Sequence, residues 1–391
     1  MKILMILENS FPPDVRVEKE IKSLLAVGHQ IVLACSSIVS ENELVDWNGA
    51  IVVKKKMSSF VYKSSVGCLR FPFYFNFWRK FLTIVFNKYE FNAIHLHDLP
   101  LAKVAKEFSV KYKIPFVLDL HENWPAAMKI AIHTNTILGK IFSSNLKWQK
   151  YEKESVVKAV KIITVVEEMK ERISQSIPDE NKIYILPNTI SLENLTYENN
   201  SINNKRPTIF YAGGINIHRG LQIVLKALLE VKKELPNILF NIVGSGSYER
   251  ELKNFVIEQN LEQNVIFLGW KTYEDMMEIL NESDIAIISH LRSEQTDCSS
   301  PNKIFQYAFM KKPIISSDCR SLERILNDMQ GGIVYTDHNH LELSEKILCL
   351  FQDDKLRKKL GESGHKAVLN KYNWQQSSKE LIRLYKELEE A

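Results

Sequence analysis

The residues of this chain with the types and spacing to do chemistry are two cations and two histidine–carboxylate clusters. Lys303 follows Ser299-Ser300-Pro301-Asn302, a loop that reads as running into a helix. Ser300 is expected to cap that helix, and Pro301 to sit where a missing N–H costs nothing. Asn302, Lys303 and Gln306 are three or four residues apart and so share one surface, while Ile304, Phe305, Ala308 and Phe309 pack inward. A helix start with a lysine beside it favours an anion, because free N–H groups and the macrodipole act together. A basic first turn with no ligand is the plainer alternative. Arg219 opens a second helix after Gly213-Gly214-Ile215-Asn216-Ile217-His218, where glycines permit close backbone approach.

The clusters are His95-Leu96-His97-Asp98 and Asp119-Leu120-His121-Glu122, each at the end of an apolar run. Their composition raises the question of a metal. No third or fourth ligand stands nearby at metal spacing, so they read as hydrogen-bonding and acid–base groups in a cleft. Asp14 and Arg16 follow the first apolar run through a proline-stiffened turn, which puts them at the mouth of that cleft. There Arg16 suits a phosphate or carboxylate, with a helix-start ion pair to Glu20 as the alternative.

Positioning these groups falls to strand-like runs alternating with helical patterns. The strands expected are Lys2–Leu7, Gln30–Cys35, Asn92–His97, Pro115–Leu120 and Lys161–Val166. After a polar break at 193–206 come Thr208–Ala212, Ile238–Val243, Asn264–Leu268, Asp284–Ser289, Lys312–Ser316 and Gly332–Tyr335. Such alternation means parallel sheets with right-handed crossovers, and a restart after a linker means two doubly wound domains. The loops bearing Lys303 and Arg219 fall at carboxyl ends of strands, where open α/β sheets bind ligands. Gly244-Ser245-Gly246 and Gly269-Trp270-Lys271 end two further strands. The Gly-x-Gly alone lacks the third glycine of a dinucleotide fingerprint, while the backbone at 269–271 could receive a flat base. The terminal amphipathic helix, with Leu381, Leu384 and Leu388 in register, must dock on something already folded.

With 391 residues the chain exceeds the size at which single cores stop growing, about 250–300 residues. Charge is uneven: residues 1–195 carry 26 Lys+Arg against 20 Asp+Glu, the remainder 25 against 27. The basic first half suits an anionic lipid or acceptor. Residues 68–91 mix Phe71, Phe73, Tyr74, Phe75, Phe77, Trp78 and Phe81 with Arg70, Arg79 and Lys80, with Lys54-Lys55-Lys56 upstream. That is the composition of a membrane-interface segment, or else of a buried aromatic helix pair. Five cysteines without metal-type pairs fit a reducing compartment, Cys35 and Cys349 being read as core. No apolar run is long enough to span a membrane, so the expected location is cytoplasmic, either free or peripheral on the cytosolic face of the membrane.

Taken in order, Phe11-Pro12-Pro13-Asp14-Val15-Arg16-Val17-Glu18-Lys19-Glu20, the His97 and His121 strand ends, Pro187-Asn188, Tyr211-Ala212-Gly213-Gly214 with Arg219-Gly220, Val243-Gly244-Ser245-Gly246, Phe267-Leu268-Gly269, and Ser300-Pro301-Asn302-Lys303-Ile304-Phe305-Gln306-Tyr307 resemble the retaining glycosyltransferases of family 4. The resemblance covers nearly the whole chain. It implies an α/β fold of GT-B architecture, two Rossmann-like domains facing across a cleft. Residues 1–195 would take an acceptor and 196–372 a nucleotide-sugar, with the helix over 373–391 returning toward the N-terminal domain. His121, Arg219 and Lys303 would be catalytic. Gly213, Gly214, Arg219, Gly244, Gly246, Gly269, Lys271, Asp297, Ser300, Asn302, Lys303 and Gln306 would bind the donor. Asp14, Arg16, His97 and Glu122 would face the acceptor.

The activity so implied moves a hexose-type sugar from a UDP- or GDP-linked donor to a glycan or lipid-linked acceptor in surface-polysaccharide synthesis. No metal or cofactor is called for, since fixed cations stabilise the leaving diphosphate. The partners implied are nucleotide-sugar and acceptor, with no nucleic acid; the aromatic–basic composition of residues 54–91 adds, on its membrane-interface reading, peripheral contact with an anionic membrane. Three positions depart from the family: Gln306 and Cys298 where glutamates are usual, and Gly214 where many members have arginine. An amide bonds a ribose hydroxyl less strongly than a carboxylate does. The alternative is therefore a non-catalytic nucleotide-sugar-binding or partner protein with a decayed ribose site.

Overall fold

The computed structural model describes residues 1–130, 144–193 and 206–390; most of the expected linker lies outside them. The chain divides into two compact units, Met1–Asn188 with Ser377–Ala391, and Thr189–Gln376.

In the first unit the strands are β1 (Lys2–Leu7), β2 (Gln30–Ser37), β3 (Glu43–Trp47), β4 (Ala50–Lys56), β5 (Ala93–His97), β6 (Phe116–Leu120), β7 (Lys161–Thr164) and β8 (Ile183–Ile185). Among the described residues they form one sheet in the order β3-β4-β2-β1-β5-β6-β7-β8. Every pairing is parallel except that of β3 with β4. Residues Ile3 to Ile6, Val32 to Cys35 and Val117 to Leu118 are fully covered, as strands packed on both faces must be. The order reverses between β1 and β5, a switch point whose carboxyl edge carries Glu8 and His97-Asp98.

Strands β3, β4 and β8 were not expected. The first two form a hairpin closed by Asn48-Gly49, both at positive φ, the turn whose twist matches antiparallel strands. The Asn-Gly pair announces it in the sequence. Lys54 pairs with Glu43 of the opposite strand at 3.0 Å, and Lys56 with Glu41, so two of the three tandem lysines have acidic partners.

The second unit holds β9 (Thr208–Ala212), β10 (Leu239–Val243), β11 (Val265–Gly269), β12 (Ile285–Ile288), β13 (Ile314–Ser317) and β14 (Gly332–Tyr335). Their order is β11-β10-β9-β12-β13-β14, wholly parallel. This is the doubly wound order, with its switch point between β9 and β12. A core of Ile209, Tyr211, Val224, Leu228, Phe240, Ile242, Ile285 and Ile287 lies between strands and helices. The expected strands are present, shifted by a residue or two at their ends.

Several local expectations give way. The helix bearing Lys303 runs Lys303–Phe309 and has no side-chain cap; Ser300 Oγ and Asn302 Oδ1 are buried without a partner. Ser300 is thus not the cap, because the cap position falls two residues later, at Asn302. Cys35 is buried but Cys349 is exposed. It falls on the outer face of His340–Gln352, whose inner face is Leu343, Ile347 and Leu350. In the helix Phe73–Lys88, Tyr74, Phe75, Trp78, Phe81 and Leu82 are core. Arg79 there forks onto Glu107 at 2.6 and 2.7 Å. The buried-helix alternative describes that helix body, while Phe71 and Phe73 stay exposed at its start. Helix Trp374–Glu390 buries Leu381, Leu384 and Tyr385, with Ser377 onward belonging to the first unit.

Candidate functional site

In the second unit the chemistry gathers at the carboxyl edge of β9 and β12. After β9 the chain turns through Gly213 to a single 3-10 turn, Ile217–Arg219, and reverses at Gly220. Gly220 has φ +71°, and a Cβ there would lie 1.7 Å from the Ser289 carbonyl oxygen. Only glycine fits. The close approach sets Arg219 against the end of β12: Ser289 Oγ donates to the Arg219 carbonyl at 2.8 Å, and Arg219 Nη1 donates to His290 Nε2, also at 2.8 Å. His290 is buried, and burial, then Arg219 and Lys303, hold it well below the usual imidazole range. It is therefore neutral and can accept. Its own carbonyl is fixed by Ser317 Oγ at 2.6 Å.

Lys303 reaches the same edge from its short helix, which Tyr307 anchors by accepting from Ala212 N–H at 2.9 Å. The ammonium lies 4.1 Å from the centroid of the Tyr211 ring and so close to Gly213 that a Cβ there would be 2.6 Å from Nζ. Desolvation, then Arg219, push Lys303 well below its ordinary pKa. Among the described residues neither Arg219 nor Lys303 has a carboxylate partner, and Arg219 Nε is buried and unbonded. Two cations that repel each other, beside the unpartnered Ser300 Oγ and Asn302 Oδ1, make a site electrostatically incomplete without an anion.

The other residues named for the donor surround this edge in varying ways. Gly213, Gly244 and Gly269 end β9, β10 and β11 in succession, linked by Gly213 N–H to Val243 O (2.9 Å) and Gly244 N–H to Gly269 O (2.7 Å). Gly214 and Gly246 are exposed in the same loops, Lys271 is half-buried just past Gly269, and Gln306 is half-buried one turn beyond Asn302. Asp297 is engaged elsewhere: its carboxylate accepts from Arg292 Nε at 3.2 Å and from Arg320 N–H at 3.0 Å.

In the first unit the structure gathers a polar network beneath the β5 and β6 ends. Arg16 does not stand at an open mouth. It is 5% exposed, with Nε on Glu20 at 3.0 Å and Nη2 on Asp119 at 2.6 Å. Asp14 caps helix Val15–Ala26, accepting from Arg16 and Val17 N–H. Asp119 Oδ2 also meets His121 Nε2 at 3.0 Å, and Asp98 Oδ2 lies 3.4 Å from His121 Nδ1. Burial and Arg16 disfavour a charged His121, but Asp98 and Asp119 overcome them and raise it to about 9. His97, fully covered, is pushed down to about 3 by burial and by His95 and His121. Asp119 lies well below the usual carboxylate range: Arg16 and His121 outweigh its burial. Glu122 is half-buried beside His121.

The sequence named Glu20 as the alternative partner of Arg16 and His95 as one of the strand-end cluster, but gave Tyr385 no role here. Glu20 is four residues after Arg16, a visible signal; Tyr385, whose hydroxyl lies 2.9 Å from His95 Nδ1, is 290 residues away and gives none. Glu20, His95, His97 and Asp119 offer ligand atoms within 4.8 Å of one another, so a third and fourth ligand at metal spacing do exist. Arg16 already supplies the positive charge to both carboxylates, which makes the set an internal salt-bridge network.

Above this network is a pocket of about 410 Å³ lined by Leu7, Glu8 and Asn9 after β1, His97, Asp98 and Pro100 after β5, and Tyr62, Trp124, Met128 and Trp148. Burial, with Asp98 adding, raises Glu8 to about 7. Apolar walls with a few convergent polar groups are the common form of a small-molecule site.

Residues 195–367 match the family described as glycosyl transferases group 1, so the second unit carries a domain of that type. An uncharacterized glycosyltransferase of Methanocaldococcus jannaschii is 24% identical over 298 residues, 76% of each chain. Sucrose-phosphate synthase of Thermosynechococcus elongatus superposes with a TM-score of 0.81 at 13% identity, covering 99% of this chain and 98% of that one. HepE of Anabaena, solved in complex with UDP, gives 0.73 at 14% identity, covering 99% and 100%. The two-domain α/β fold with parallel sheets is that of the GT-B glycosyltransferases.

Proposed function

We propose that the chain is a glycosyltransferase that moves a hexose-type sugar, with retention, from a nucleotide-diphosphate donor to a glycan or lipid-linked acceptor in surface-polysaccharide synthesis. The observation that carries this is the pair Arg219 and Lys303, brought to one strand edge with no carboxylate partner among the described residues. A diphosphate supplies the missing charge. As the C1–O bond to the leaving phosphate breaks, negative charge grows on that oxygen, and two fixed cations lower the barrier without a metal. The acceptor hydroxyl bonds to C1 from the same face, and its proton passes to the departing phosphate oxygen. His121, held protonated by Asp98 and Asp119, is the first unit's proposed contribution to catalysis. The backbone turns at Gly244–Gly246 and Gly269–Lys271 take the base, and Gln306 the ribose.

The acceptor binds in the first-unit pocket, where aromatic walls suit the apolar face of a sugar ring and Glu8 and Asp98 suit its hydroxyls. The test is incubation with a panel of UDP- and GDP-sugars, reading donor hydrolysis and transfer. Turnover that depends on Lys303 supports the reading. Nucleotide-sugar binding without hydrolysis or transfer would instead leave a non-catalytic binding protein.

A further inference from the structure

Three basic residues of 54–91 are engaged with acids, as Lys54, Lys56 and Arg79 show. Among the described residues, a further positive surface of the first unit lies elsewhere. A pocket of about 440 Å³ is lined by Lys103, Lys106, Lys147 and Lys150, together with Leu69 and Phe75. Glu154 is the acid in the lining, and it pairs with Lys150 at 3.9 Å. Among the described residues Lys103, Lys106 and Lys147 have no acidic partner. Lys103 Nζ stands 5.6 Å from the Phe75 ring centroid. Four ammonium groups around a recess fit a phosphate.

The segment 69–75, whose Leu69 and Phe75 line this recess, also supplies Phe73, 47% exposed, which meets Phe60, 64% exposed, ring to ring at 5.4 Å. Tyr62, on the same short helix as Phe60, is 45% exposed. Tyr62 and Lys63 in turn line the 410 Å³ pocket that reaches His97 and Asp98. Large exposed aromatics next to a lysine-lined recess are an unusual surface for a protein facing only water, and their pairing is that of a membrane interface.

We propose that this face docks on a bilayer containing anionic phospholipid. Phe60, Tyr62 and Phe73 enter the interfacial layer, and the lysine recess receives a lipid phosphate. The proposal rests on the acceptor assignment only for its purpose: a lipid-linked acceptor would enter the pocket past Tyr62 from the membrane side.

The test is sedimentation of the full chain with phosphatidylcholine vesicles, with or without about a third phosphatidylglycerol. Binding is expected with the anionic vesicles only. Changing Lys103, Lys106, Lys147 and Lys150 together to Ser should weaken it by at least about a hundredfold, since each basic residue near such a surface contributes roughly fivefold. Changing Lys355, Lys358, Lys359 and Lys366 of the second unit to Ser removes the same charge and should have little effect. Phe60→Ser with Phe73→Ser should also release the protein, and an unchanged melting temperature qualifies each variant. Equal loss from both lysine sets, binding unaltered by the first set, or no binding to anionic vesicles overturns the proposal. Turnover on a short soluble acceptor is read in parallel and should stay constant across all variants. Its absence in the unaltered protein sinks the enzymatic reading while leaving the vesicle result interpretable.

Discussion

His121 is the group whose charge the fold controls most visibly, and the control can be measured as stability. Its pKa rises from 6.5 to about 9. A group whose folded pKa exceeds its unfolded value stabilises the fold fully below the unfolded value and ceases to do so above the folded one. The shift corresponds to about 3 kcal/mol, present in full below pH 6.5 and lost as pH rises to 9. Urea unfolding of the natural protein and of His121→Asn across that window isolates the contribution. The difference between the two should shrink by about 3 kcal/mol on going from acid to alkaline pH. Asp98→Asn removes the first of the two attracting charges, at 3.4 Å from Nδ1, and should lower the His121 pKa by at least about one unit in an NMR titration. An imidazole titrating near 6.5 in the natural protein, or a His121 pKa unmoved by Asp98→Asn, would refute the assignment of its charge to these carboxylates.

Lys303→Ala and Arg219→Ala should each reduce turnover about a hundredfold or more, a loss of roughly 3 kcal/mol of transition-state stabilisation; near-normal rates in both exclude diphosphate binding at this edge. A bound diphosphate should offset the desolvation and the Arg219 repulsion that depress Lys303, and so raise its pKa. Calorimetry of UDP or GDP binding at alkaline pH, in buffers of different ionisation enthalpy, should then show more proton uptake in the natural protein than in Lys303→Ala. Turnover should persist in EDTA, and a complete loss reversed by Mg²⁺ or Mn²⁺ would contradict the two-cation mechanism. Gln306→Glu should tighten donor binding several-fold if residue 306 meets the ribose, as a carboxylate accepts more strongly than an amide; unchanged affinity places the ribose elsewhere.

The doubly wound fold was legible because buried parallel strands read as apolar runs, from Lys2–Leu7 to Gly332–Tyr335. Strand β3 escaped notice because its residues are mostly exposed, so no apolar run marks it; only Asn48-Gly49 betrays the hairpin. The two cations of the second unit were legible as types at strand ends. His290, which orients Arg219, was not: a single histidine after an apolar run carries no mark of the guanidinium it will meet. Arg16 shows the opposite error. Its position after a strand suggested an open mouth, yet helix Val15–Ala26 turns it inward, onto an Asp119 lying 103 residues ahead. Tyr385 could not be inferred at all, since its contact with His95 depends on where the last helix comes to lie.

That last helix orders the birth of the molecule. Thr189–Gln376 is one continuous stretch, whereas the first unit is completed only by Ser377 onward. During synthesis the second unit can close as soon as it leaves the ribosome. The first unit, though made earlier, waits with the places of Leu381, Leu384 and Tyr385 unfilled and His95 lacking its phenol. The older half of the chain is the later one to mature, and while it waits its uncovered apolar surface is open to chaperones and proteases.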